Sequence, residues 1–267
     1  MESIRLGPGL NLYYQPQDRA VAQQIGATTA ATVEFVGKWW GVPAPEDLRV
    51  YVMTAWSDLT THAPGLWRVW LAVLYPLWAP RAKRIWPLAG GWEQQFGARR
   101  TVGIKPPRLL PAGDSPMGQR LFLPVSGPDE KVAHTTCHET THAVTSHLKL
   151  PSWLKEGLAM VAVERFFDCQ TVRPGTLERL AAEPPVPRPG DRLPDQDLDA
   201  MAALYARGYW LTRYLDETHP QLLRDLLARR RRRPELEAQV AAACGLEPGA
   251  LWAGIDAIVA GHFAGRP

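Results

Sequence analysis

Cysteine is scarce in this chain of 267 residues: Cys137, Cys169 and Cys244 are the whole set. An odd, sparse set argues against a disulfide framework and fits a reducing compartment. No uninterrupted apolar run reaches the roughly 20 residues that a bilayer-spanning helix requires. The opening residues, MESIRLGPGLNLYY, lack the basic stretch followed by an apolar stretch that marks an export signal. These absences make the cytoplasm the expected location. Net charge is also small, a formal +3, so no nucleic-acid partner is expected from charge alone. Internal repeats are missing too. One absence is local: no acidic residue lies between Asp58 and Glu93, a stretch that carries Arg68, Arg81, Lys83 and Arg84.

What is present is an ordinary globular composition, 46% apolar and 21% charged, long enough for one large domain or two lobes. Residues 10–14 alternate as a short strand does, and β-branched and aromatic residues mark 48–53 as another. Between them, Ile25, Thr29, Thr32, Val33 and Val36 fall at helical spacing, and Gly41 follows the last turn of a helix predicted over 18–40. Strand character resumes at 101–105 and again at 120–125. From Pro128 the chain turns helical, with Pro128 suited to a first helical position and Asp129 and Glu130 to the positive end of the helix dipole. That helix is predicted to run to about His147. Leu150-Pro151-Ser152 makes a turn, with Ser152 as N-cap of a helix over 153–167. Five prolines over 184–194 predict a loop. Helices are expected over 197–216, 219–230, 235–243 and 248–260.

Residues 138–142 read HETTH. On a helix, positions i and i+4 share a face, so His138 and His142 can aim two imidazole nitrogens at one ion. Glu139, beside them, can reach a water without ligating the metal. Fourteen residues after His142, Glu156 falls in the opening turns of the next helix, with room for an antiparallel return. Its carboxylate would complete a His-His-Glu set and leave a fourth position open. Gly157 removes a side chain where two helices must approach closely. A stripe of His134, His138 and His142 is the alternative ligand set. His147 reads as a surface histidine near the helix end, and Cys137 as a small buried residue about 100° away from His138.

HETTH followed by WLKEGLA resembles the gluzincin zinc metallopeptidases, whose pattern is H-E-x-x-H with a later E-G. The wording around Trp153-Leu154-Lys155-Glu156-Gly157 is similar to the aminopeptidase N branch. Length and downstream segments look more like the compact peptidase MA-like domains of bacteria. The resemblance is strongest over 128–166 and 201–255, and no G-A-M-E-N exopeptidase signature precedes it. It implies an α+β fold: an N-terminal mixed sheet with a helix, then the zinc-binding motif helix, then a mainly helical C-terminal part. The lobes are expected at 1–149 and 150–267. It implies Zn²⁺ held by His138, His142 and Glu156, with Glu139 as general base and a peptide or protein as substrate. It also implies a tyrosine donor to the oxyanion from the segment ALYARGYWLTRYL; Tyr205 is the candidate and Tyr209 the runner-up one turn later. Residues 101–105 are a candidate for the edge strand that aligns substrate. The alternative function is a non-catalytic zinc-binding regulatory or interaction module.

Residues 63–92 hold five of the eleven tryptophans and are cut by Pro64, Pro76, Pro80 and Pro87. Trp67, Trp70, Leu71 and Leu74 have the spacing of an ordinary amphipathic helix, and the favoured reading is that they fill a core. The other reading is an accessory that docks through 64–88 on a partner or membrane surface. The run Arg229–Arg233 reads as a solvated turn between helices.

Overall fold

A computed structural model describes residues 1–58, 62–110, 116–182 and 198–264. The predicted loop over 184–194 lies outside these residues. The fold is α+β, an N-terminal mixed five-stranded sheet with helices followed by a mainly helical C-terminal part. The chain divides into two compact units: residues 1–37, 43–115 and 125–144 form one, and residues 38–42, 116–124 and 145–267 the other.

In the first unit the strands are β1 (Glu2–Gly7), β2 (Leu10–Tyr14), β3 (Asp47–Val52), β4 (Gly91–Phe96) and β5 (Arg99–Ile104), in the spatial order β1-β2-β3-β5-β4. The central pairs β2/β3 and β3/β5 are parallel, and the outer pairs are antiparallel. Alternation buries Leu10, Leu12 and Tyr14 from β2, and Leu48 and Val50 from β3 joins them. The parallel β2/β3 connection is made by α1 (Arg19–Trp40), whose stripe Ile25, Thr29, Thr32 and Val36 is wholly buried. Gly41 follows with φ 74, the left-handed conformation that ends a helix without a Cβ clash. Asp18, buried just before α1, accepts a bidentate pair from Arg108 at 2.9–3.2 Å.

β1 and β4 were not expected. β4, GWEQQF, is polar and only half-buried along most of its length, so it carries little apolar alternation to read. Its presence also corrects the edge-strand expectation at 101–105: β5 lies between β3 and β4, and β4 is the edge. Residues 65–85 form two short helices, α2 (Gly65–Val73) and α3 (Tyr75–Ile85), the break falling just before Pro76. The core reading of this stretch fails. No residue of α2 is buried; Leu66, Trp67, Trp70 and Leu74 are exposed.

The second unit is built around α6 (Ser152–Phe167) and α8 (Leu198–Thr218), joined by α4 (Pro116–Leu121), α7 (Gly175–Ala182), α9 (Pro220–Leu227), α10 (Arg233–Ala243) and α11 (Leu251–Phe263). The remaining helix, α5 (Pro128–Thr145), precedes α6 in the chain. A Cβ at Gly157 would lie 2.2 Å from both Gly208 O and Thr212 Oγ1, and one at Gly208 would lie 2.3 Å from Trp153 O. α6 and α8 therefore cross backbone to backbone, a distance only glycine permits. Trp153 is buried there against Trp252, ring centroids 5.7 Å apart.

Two local expectations change. Residues 120–125 are not a strand: Arg120 and Leu121 end α4, and Phe122 makes only an isolated bridge to Val172. Pro124 has no N–H with which to extend that pairing. Ser152 is the first residue of α6 and not its cap; the cap position is Pro151, already extended at φ −61, ψ 150. The arginine run spans the turn between α9 and α10 and ends on the first residue of α10; Arg231 and Arg233 pair with Glu235 and Glu237 four residues on.

Candidate metal centre

The motif helix begins where the sequence says it should, with Pro128, Asp129 and Glu130 in its first turn. Glu130 accepts from Ser126 N–H at 2.6 Å, which holds its carboxyl below the usual range. The segment HTTCHETTH is rich in β-branched threonine, a modest helix former. Two threonines satisfy their hydroxyls inside the helix: Thr136 Oγ1 donates to Val132 O at 2.7 Å and Thr141 Oγ1 to Cys137 O at 2.9 Å. Tertiary burial does the rest, with Val132, Thr136, Cys137, Thr140 and Thr141 all removed from solvent. The Cys137 thiol is pushed up to about 12 by burial, so it is the inert buried residue expected.

His138 and His142 stand on one face, ring centroids 4.5 Å apart and planes at 82°. His142 is buried; His138 and Glu139 are half-buried. Past the helix a 3-10 turn, Ser146–Leu148, ends on Lys149 in the left-handed region at φ 52, ψ 48, a conformation that a non-glycine side chain seldom adopts. α6 then begins, with Glu156 in its second turn. His138, His142 and Glu156 each offer one ligand atom, and these atoms lie within 4.8 Å of one another. Donors at about 2.1 Å around a tetrahedral ion sit about 3.4 Å apart, so small side-chain adjustments close the set. Two imidazoles and a carboxylate fit a cation that takes nitrogen and oxygen donors. Glu156 completes the group in preference to the alternative His134, which lies 3.7 Å from Glu130 and whose ring burial pushes below the usual histidine range. His147 is exposed, as expected.

Glu139 has a neighbour the sequence did not announce. A Cβ at Gly91, the first residue of β4, would lie 2.6 Å from Glu139 Cγ and 2.8 Å from Thr135 Cγ2. The absent side chain at Gly91 is what gives Glu139 its room.

The two tyrosines of α8 differ. Tyr209 is wholly buried, its hydroxyl donating to Glu164 and accepting from Arg213 Nη1 at 3.0 Å. Burial first, then the Glu164 carboxylate, push its ionisation far above the usual range. It is committed to the interior of the helical unit. Tyr205, one turn earlier, is half-buried.

No protein-family model matches the chain, and no curated protein matches it.

Proposed function

We propose that this protein is a zinc-dependent peptidase of the gluzincin type. The observation that carries the reading is the convergence of His138, His142 and Glu156 ligand atoms within 4.8 Å, with Glu139 adjacent to the first ligand in the helix. The resemblance of HETTH and WLKEGLA to that family supports it. Zinc bound by this set would polarise a scissile carbonyl and acidify a water.

The chain's own residues do the rest. His138 and His142 would hold the ion as neutral imidazoles, and Glu156 would supply the single ligand charge. The Glu139 carboxylate takes a proton from the attacking water and delivers it to the departing amide nitrogen. The Tyr205 hydroxyl donates to the carbonyl oxygen as negative charge develops on it. β4 stands at the end of the strand order, with β5 as its sheet neighbour among the described residues, and is the strand along which an extended peptide substrate would be laid. Since β4 starts against Glu139, a peptide laid along it would bring a bond close to the base.

The test is metal content by mass spectrometry together with cleavage of a peptide library. Wild type should hold a single zinc, His142→Ala should lose it, and Glu139→Gln should keep it while hydrolysis falls about 10²–10⁴-fold. Equal zinc in His142→Ala refutes the site. Zinc-loaded wild type that cleaves nothing in the library favours the non-catalytic module.

A further inference from the structure

The hairpin of α2 and α3 presents apolar surface that a water-facing helix rarely keeps. α2 reads GLWRVWLAV, with Arg68 as its one charged residue, and none of its residues is buried. Leu66 is 78% exposed, Trp70 61% and, in α3, Leu77 78%. An ordinary surface helix turns an apolar stripe inward and a polar face outward; α2 has no polar face to turn. Contiguous exposed apolar surface of this kind marks an interaction site.

The hairpin is nevertheless anchored. Trp78 Nε1 donates to Leu71 O at 2.7 Å, joining the two helices. Trp78 and Tyr75 pack with Trp56 below them, at 5.6 and 5.9 Å between ring centroids. Ala79 and Ala82 are buried. The Lys105 ammonium, itself buried, sits 4.1 Å over the Trp86 ring and donates to the Trp86 carbonyl, tying the end of the hairpin to the sheet. The apolar face is thus held outward by a built base.

We propose that α2 and α3 dock the protein in the plane of an anionic lipid surface. Charge complementarity selects this occupant: Arg68, Arg81, Lys83 and Arg84 are exposed, and no acid lies between Asp58 and Glu93. A protein groove would read one stripe of a helix. α2 is apolar around its circumference apart from Arg68, which suits an isotropic apolar phase. At nine residues it is about 14 Å long, half the roughly 30 Å of a bilayer core. It therefore lies at the boundary of headgroups and acyl chains, where tryptophan and arginine are favoured. No helix among the described residues is long and apolar enough to cross a membrane. The proposal does not depend on the peptidase reading.

Flotation of the full chain with vesicles tests it without any activity assay. Wild type should float with phosphatidylcholine vesicles containing about one-third phosphatidylglycerol, and far less with phosphatidylcholine alone. Leu66→Ser with Trp70→Ser should reduce that binding about tenfold or more. Arg81→Ala with Arg84→Ala should weaken binding to the anionic vesicles and leave the neutral ones unchanged. Lipids brominated in their acyl chains should quench wild-type tryptophan emission, a readout that needs no variant. Failure of wild type to float with anionic vesicles overturns the proposal, as does unchanged flotation of the Leu66/Trp70 variant. Self-association of unbound wild type, relieved by Leu66→Ser with Trp70→Ser, would assign the face to a second copy of the chain instead.

Discussion

Tryptophan is prominent in two helix pairs of this protein, and the pairs treat it in opposite ways. In α6 and α8, Trp153 and Trp210 are buried, whereas Trp67 and Trp70 of α2 are exposed. Apolar content does not separate them, nor does helical spacing, since Trp67, Trp70, Leu71 and Leu74 repeat as a core stripe should. What separates them is a partner of matching shape. α6 and α8 run 16 and 21 residues and meet at Gly157 and Gly208, so their backbones touch and flanking side chains interlock. α2 has nine residues between Pro64 and Pro76, and α3, its close helical neighbour among the described residues, carries Lys83 and Arg84 in its last turn. Periodicity specifies which residues of a helix share a face; it does not specify that anything covers that face.

This comparison breaks first at the crossing. Gly157→Val should abolish folding or remove more than about 3 kcal/mol, because the new atoms meet backbone that cannot rotate away. Urea denaturation that finds a small loss would show the crossing is looser than described. Trp153→Ala should come next, at about 3–5 kcal/mol by the same measurement, as a large buried ring is replaced by a cavity. Tyr209→Phe should cost about 1–3 kcal/mol by leaving buried Glu164 and Arg213 short of a partner. Tyr205→Phe should lower peptide hydrolysis about 10- to 10³-fold at a smaller cost in stability than Tyr209→Phe. A reversed pattern would move the oxyanion donor one turn along α8. Gly91→Ala should displace Glu139 and slow hydrolysis about tenfold while zinc content holds; full activity would show that the side chain yields easily. Smallest of all, Trp70→Ala should alter stability by no more than about 0.5 kcal/mol in the absence of lipid. A loss approaching that of Trp153→Ala would erase the contrast between the two pairs.

The candidate site was legible because its chemistry is local in sequence. Two ligands sit four residues apart on one face of one helix, and the third stands at the start of the next, so few residues separate the whole set. The interior strands were legible too: β2 alternates buried with half-buried residues, and β3 and β5 carry buried β-branched ones. The outer strands β1 and β4 carry polar, half-exposed residues and no such pattern. Residues 120–125 misled in the opposite sense, since RLFLPV has strand-like residues but only an isolated bridge to pair with. Gly91 was invisible because its role is set by Glu139, 48 positions away in the chain, which no periodicity reports. The exposure of α2 was illegible for the reason already given: the absence of a covering partner leaves no mark on a sequence.

The crossing at Gly157 also bears on Glu156, its immediate neighbour in the chain. A carboxylate on a loop would sample many positions, and an ion would have to gather it in. Here the backbone that carries Glu156 is clamped against α8, so the conformational entropy of placing that ligand is surrendered when the chain folds and not when an ion arrives. Affinity for an ion then reflects donor chemistry and desolvation more than ordering, and the helical unit should hold its shape through cycles of chelation and reloading.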